Sequence, residues 1–199
     1  MHCKGFRSAD SSCKIIHMEN QSLELPYRPC VGVVLVNKGG HVWIGRRLPK
    51  WSADKSAFIW QMPQGGIDQG EDPRAAAIRE LEEETGVQSV DVVAESSGWL
   101  TYDLPDDLLG VALKGKYRGQ TQKWFVMRFH GEDAEIRIEA RNGHKQEFDA
   151  WRWARLDELP ELIVPFKRGI YEALVAEFGP LVSGLVSAQI AGIQAVQPQ

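Results

Sequence analysis

The segment from Asp72 to Gly86 constrains this chain more than any other. Asp72-Pro73 has the form of a helix start, with an Asp N-cap and proline in the first turn, and Gly86 has the form of its stop. The spacing predicts a helix over Pro73–Thr85, about three and a half turns long. Its second half holds Glu80, Glu82, Glu83 and Glu84. At about 100° per residue, Glu80, Glu83 and Glu84 share an arc of about 100°, while Glu82 points the other way. Carboxylates spaced i, i+3 and i+4 repel one another, and the C-terminal half of a helix disfavours negative charge. A solvated acidic face is the usual reading of such a cluster. Here, however, it follows a loop punctuated by Gly65, Gly66 and Gly70, where backbone can approach a ligand closely. Three oxygen donors on one rigid face suit a hard divalent ion, Mg2+ or Mn2+, rather than zinc.

The rest of the chain sets the context for that helix. With 199 residues, 43% hydrophobic and 25% charged, it is long enough for one domain plus tails. Twenty-three basic against 27 acidic residues give a net charge of -4. That argues against coating nucleic acid along a broad cationic surface, though a small basic pocket is compatible with it. Cys3, Cys13 and Cys30 are odd in number and lack CxxC spacing, so they read as reduced thiols, not as a disulfide framework or zinc site. No secretion signal heads the sequence, and no apolar run reaches the roughly 18 residues a membrane helix needs. The expectation is a cytoplasmic protein without a membrane partner.

Residues 1–24 show no periodicity and read as a flexible N-terminal extension. The globular part is expected over 25–178. Residues 31–36 and 41–47 alternate around Asn37-Lys38-Gly39-Gly40, a hairpin signal. A polar loop over 49–57 leads to an apolar run at 58–62. Segments 87–102, 123–130, 134–140 and 151–156 read as strand-bearing. Trp151 and Trp153 alternate as packing residues on a strand. A second amphipathic helix is predicted over 165–178, stopped by Gly179-Pro180. The tail, 179–199, carries no charge, and Val182, Val186, Ile190 and Ile193 recur at helical spacing. It reads either as a docking or dimerisation helix or as a frayed end, leaving monomer and dimer both open.

Gly65, Glu71, Arg79-Glu80-Leu81, Glu83-Glu84 and Gly86-Val87 match G-x5-E-x7-R-E-U-x-E-E-x-G-U, with U aliphatic, at all nine specified positions. On this motif the chain is identified as a member of the Nudix hydrolases. Tyr27-Arg28-Pro29, the run from Val42 to Arg47, Trp60 to Ile67, Lys123-Trp124, Glu147 to Trp153 and Val164 to Arg168 resemble the bacterial RNA pyrophosphohydrolases of that family. Close relatives of those enzymes are described as dinucleoside polyphosphate hydrolases. The resemblance implies an α+β chain, an α/β/α sandwich around a mixed sheet.

It also implies roles. Glu80, Glu83 and Glu84 would ligate metal, joined by the Gly65 carbonyl, while Glu71 and Arg79 would form a salt bridge holding loop to helix. Glu83 and Glu80 would orient the attacking water, and Glu147 would complete the metal site or act as general base. Arg28, Arg47 and Lys167 match positions that contact 5′ phosphates or the first nucleotides, a task suited to the planar guanidinium fork. Lys123 is a further substrate-binding candidate. Phe166 and Tyr102 are candidates for base stacking or for the core. The implied activity converts a 5′-triphosphate or diphosphate RNA end to a monophosphate, initiating mRNA decay. The alternatives are hydrolysis of a dinucleoside polyphosphate such as diadenosine tetraphosphate, and a non-catalytic nucleotide-sensing or RNA-binding domain.

Overall fold

The computed structural model describes residues 25–49, 59–140 and 143–194. The extension over 1–24, most of the polar loop over 49–57 and the last five residues of the tail lie outside the described residues.

Strand β1 (Tyr27–Val36) turns through Asn37 into β2 (Val42–Arg47), the expected hairpin, with Val36 opposite Val42. Asn37 builds the turn itself: its Oδ1 accepts from the backbone N–H of Gly39 and His41. Two short strands follow, β3 (Trp60–Gln61) beside β2 and β4 (Gln64–Gly66) beside β1. Helix α1 spans Pro73–Thr85 as its caps predict. Asp72 accepts from the N–H of Arg74 and Ala75 at 3.0 Å, and Gly86 closes the helix in the left-handed region at φ 76°. Strands β5 (Val90–Glu95), β6 (Leu100–Asp103), β7 (Gly119–Phe129) and β8 (Phe148–Ala154) complete the sheet. The short helix α2 (Leu159–Leu162) and the long helix α3 (Arg168–Gln194) end the described chain.

Among the described residues the sheet has eight strands and is mixed: β1 runs parallel to β7 over all of β1, and the other pairings are antiparallel. Because side chains alternate across a strand, β1 feeds two cores. Val31, Val33 and Leu35 meet Ala76, Ala77 and Leu81 of α1 on one face. Val34 and Val36 meet Ile170, Tyr171, Leu174 and Phe178 of α3 on the other. One helix on each face of a mixed sheet is the α/β/α sandwich the sequence implied.

Two expectations are corrected. The segment 134–140 forms no strand. A 3-10 turn at Asp133–Glu135 leads into chain whose Arg137 N–H bonds the Thr85 carbonyl at 2.7 Å, while the Glu135 carboxylate accepts from the N–H of Gln88 and Ser89. Its alternating Ile136 and Ile138 are drawn into the α1-side core from a segment that closes off the helix end instead of pairing in a ladder. The second correction concerns Gly179-Pro180, which does not stop the last helix: α3 continues through Pro180 to Gln194. Glycine before proline removes the Cβ clash that normally expels that position from the helical region. Beyond the proline, Val182 is buried in the α3-side core, and Leu181 and Leu185 pack against it. Packing outweighs one lost backbone hydrogen bond.

Candidate functional site

The glutamate face is assembled around one arginine. Burial of Ala76, Ala77 and Leu81 fixes the rotation of α1, leaving Arg79, Glu80, Glu83 and Glu84 half-buried and Glu82 exposed. The Arg79 guanidinium uses all three nitrogens. Its Nε and Nη2 donate to the two carboxylate oxygens of Glu71 at 2.8 and 2.9 Å. Nη2 also donates to the Gly66 carbonyl at 2.9 Å, and Nη1 to Glu80 Oε1 at 2.9 Å and Glu83 Oε1 at 3.3 Å. This fork ties the glycine loop to the helix and supplies part of the positive charge that the self-repelling face requires. Glu82 is turned away, taking a hydrogen bond from Gln88 Nε2 at 2.5 Å.

The same fork sets the protonation of its partners. Hydrogen bonds from Arg79, and from the Asp68 N–H, hold the Glu71 carboxyl at about 2 against an ordinary 4.5. A depressed carboxyl pKa contributes stability that is present above the unfolded value and lost as pH falls through the folded one. Wild-type protein is therefore expected to lose stability between about pH 4.5 and 2 that Glu71→Gln does not lose. Acid melts of the two proteins check this; parallel curves would deny the pairing a role. Glu80 moves the other way: burial raises its pKa, against the pull of Arg79.

Gly65 is the second determinant. A Cβ placed there would lie 1.9 Å from the Glu80 carboxyl carbon, so only glycine lets that carboxylate rest on the loop backbone. At Gly66 a Cβ would lie 2.1 Å from Arg28 Nη2. Glu84 Oε2 accepts from the Gln64 N–H at 3.1 Å. Among the described residues no three acidic or imidazole side chains converge on one point, since Glu80 and Glu83 face Arg79 and Glu84 faces Gln64. The donor set is nevertheless that of a hard divalent ion: carboxylates on one helix face, one of them half-buried and laid on bare glycine backbone.

Beside this face opens a cavity lined by Arg28, Arg47, Gly65, Glu84, Tyr102, Glu147, Phe166 and Lys167. Eight of the residues singled out in the sequence thus meet at one place, although they span β1, β2, β4, α1, β6, the loop before β8 and the turn before α3. Glu147 stands immediately before β8, where its carbonyl accepts from the Leu48 N–H at 2.8 Å. Phe166 and Lys167 come from the 3-10 turn Pro165–Lys167. Glu80 and Glu83 do not line the cavity; they flank it on the helix.

Lys123 belongs elsewhere. Strand alternation sends it to the opposite face of β7 from Gln122 and Trp124, where Nζ donates to the Ser96 carbonyl and pairs with Glu95 at 3.2 Å. Tyr102 lines the cavity but is only 8% exposed, with Phe166 5.6 Å from its ring and Lys167 Nζ 5.2 Å above it. It is a wall behind Phe166, and its ring is not open for stacking. Trp151 and Trp153 pack against the α1-side core, as their alternation predicts.

Sequence reasoning missed part of the lining. Leu104, Leu108, Ala112 and Leu113 form an apolar wall between β6 and β7, where Leu113 and Lys114 hold left-handed backbone at φ 52° and 59°. Gln61, Gln64 and Gln120 add amides, and His144 Nδ1 lies 3.1 Å from Glu83 Oε2. The glutamines of β7 had a signal: Gln120 and Gln122 alternate in phase with the core-facing Trp124 and Val126.

Comparison with known proteins extends the motif match to the whole domain. The NUDIX domain model matches residues 26–174. An RNA pyrophosphohydrolase of Brucella anthropi is 59% identical over 162 residues, covering 80% of this chain and 93% of the relative. One of Agrobacterium fabrum is 56% identical over 158 residues, covering 78% and 93%. Among solved structures, a MutT protein from Methanosarcina mazei superposes with a TM-score of 0.57 at 18% identity, over 77% of this chain and 96% of that one, a likeness of fold. Arg79 clamping the glycine loop to a glutamate helix is therefore the motif in its three-dimensional form, and the chain belongs to the NUDIX domain family.

Proposed function

We propose that this protein hydrolyses the phosphoanhydride at the 5′ end of triphosphorylated or diphosphorylated RNA and leaves a 5′ monophosphate. One observation carries the reading. A single cavity sets three cations, Arg28, Arg47 and Lys167, against the carboxylates of Glu84 and Glu147, with Phe166 at its edge. Phosphoanhydride cleavage needs both halves of that arrangement: positive charge for the developing phosphoryl charge, and carboxylate oxygen for the attacking water. The names of the bacterial relatives support the choice of RNA.

Glu80, Glu83 and Glu84, with the Gly65 carbonyl and Glu147, would hold a divalent cation, Mg2+ or Mn2+, which when bound polarises phosphate and lowers the pKa of water. The protein's own groups do the rest. Arg28 and Arg47 grip phosphoryl oxygens through paired N–H donors. Glu147, on a loop at the cavity wall, would either complete that cation site or accept the proton of the attacking water. Phe166 offers a ring for the first base, a contact tolerant of any base. An enzyme acting on mRNA ends works in the cytoplasm, and no described helix is long and apolar enough to cross a membrane.

The alternative substrate, a dinucleoside polyphosphate, shares the phosphates but offers no second nucleotide on the same strand. Replacing Phe166 and Lys167 by Ala is expected to lower kcat/KM on triphosphorylated RNA by about tenfold to a hundredfold, and on diadenosine tetraphosphate by much less. The measurement is the wild-type to variant ratio for each substrate at one salt concentration, with melts to confirm folding. Equal ratios would move the assignment to the dinucleotide. Absence of phosphate or pyrophosphate release from either substrate would move it to a non-catalytic binding domain.

A further inference from the structure

Gln120 is buried to 6% exposure and lines the cavity, yet the proposed chemistry assigns it nothing. Its orientation follows from a chain of hydrogen bonds whose direction is set at one end. The indole N–H of Trp124 can only donate, and it donates to Gln122 Oε1 at 3.1 Å. That contact decides which end of the Gln122 amide is oxygen. Its nitrogen therefore donates onward, to Gln120 Oε1 at 3.0 Å and Gln64 Oε1 at 3.3 Å. The Gln120 oxygen takes a second hydrogen bond, from the Tyr102 hydroxyl at 2.7 Å. With its oxygen engaged twice, Gln120 has only its NH2 group to present elsewhere. Among the described residues no side-chain or backbone acceptor takes that group, and it is not sealed off as a buried orphan. It opens on the cavity.

The sheet register says what stands beside it. Gln120 pairs with Arg28 on β1 and with Tyr102 on β6, so the three side chains lie in a row across one face. Arg28, Arg47 and Lys167, the cations of the cavity, are donors without acceptor capacity. A donor amide aligned with a guanidinium calls for an anionic acceptor between them.

We infer that Gln120 donates a hydrogen bond to a non-bridging phosphoryl oxygen of the bound 5′ end, and that Trp124 and Gln122 hold its amide in the donating orientation. The inference rests on the phosphorylated-end reading above and adds a neutral binding residue and two positioning residues to it. Burying the polar chain keeps the amide from turning its oxygen toward the phosphate, which would repel it.

Gln120→Glu tests this with minimal disturbance. The carboxylate still accepts from Tyr102 and Gln122, and only the atom facing the cavity changes, from donor to anion. A charged hydrogen bond of this kind corresponds to about tenfold to a hundredfold in binding. KM for triphosphorylated RNA is expected to rise by that factor with kcat little changed. Gln122→Met, which leaves the Gln120 amide unpinned, should raise KM by a smaller factor. If the buried acid prevents folding, Gln120→Met removes the donor without adding charge, and melts select the usable variant. A second measurement needs no turnover. In 15N-labelled protein the Gln120 side-chain amide signal, assigned by its disappearance in Gln120→Met, should shift on adding inorganic pyrophosphate. Unchanged KM in the folded variant, or a signal that answers adenosine but not pyrophosphate, would overturn the inference. Failure of the broader reading shows separately, as wild-type protein that does not turn over triphosphorylated RNA while the pyrophosphate titration still reports on Gln120.

Discussion

Glu83→Gln is expected to lower hydrolysis by about a hundredfold or more, while Glu82→Gln leaves the rate near wild type. The two residues are adjacent in sequence and identical in chemistry, so composition and local charge cannot separate them. Rotation about the helix can. Glu83 lies on the face with Arg79, accepting from its Nη1 at 3.3 Å, and is half-buried. Glu82 is exposed and bonded to Gln88. The amide substitution preserves size and keeps an acceptor oxygen, so what disappears from the proposed metal-facing arc is charge. Measured kcat/KM for both variants at saturating Mg2+ decides the matter. Equal losses would contradict the rotation of α1 and the assignment of the acids that face the site.

Gly65→Ala is expected to be comparably damaging, by about a hundredfold, although it adds a single methyl. That methyl would lie 1.9 Å from the Glu80 carboxyl carbon and from Oε2, far inside contact distance. Either the carboxylate swings off the loop or the loop lifts off the helix. Both outcomes separate Glu80 from the backbone it rests on. Gly98→Ala serves as the control, because a Cβ there meets nothing within 4 Å. Its kcat/KM should match wild type. If Gly65→Ala retained wild-type activity with an unchanged melt, the contact between Glu80 and the glycine loop would have no catalytic importance.

These two expectations differ in how much structure they need. The separation of Glu83 from Glu82 was legible from spacing alone, because a capped helix imposes its rotation on every residue it contains. The hairpin was equally legible, since Asn37 and the glycines after it are local turn chemistry. Where the reading failed, the deciding partners were remote. Residues 134–140 alternate as a strand would, but the Thr85 carbonyl at the end of α1 captures Arg137 and no ladder forms. Gly179-Pro180 has the form of a stop, yet Val182 beyond it finds the core and the helix continues. Lys123 sits in a segment that resembles a substrate-binding enzyme, and strand parity still sends it to Ser96 and Glu95.

The sequence by itself determined the glutamate helix, its caps and the arc its acids share, because those depend on interactions within a few residues. It also determined which distant positions match a known family. Only the tertiary structure decided which of those positions meet. Arg28 is separated by most of the chain from Glu147 and Lys167, and the three converge because β1, the loop before β8 and the turn before α3 border one cavity. The direction of the Gln120 amide was likewise beyond the sequence. It follows from the Trp124 indole, which can donate and cannot accept and which acts through Gln122, a constraint that exists only once β7 has put the three side chains on one buried face.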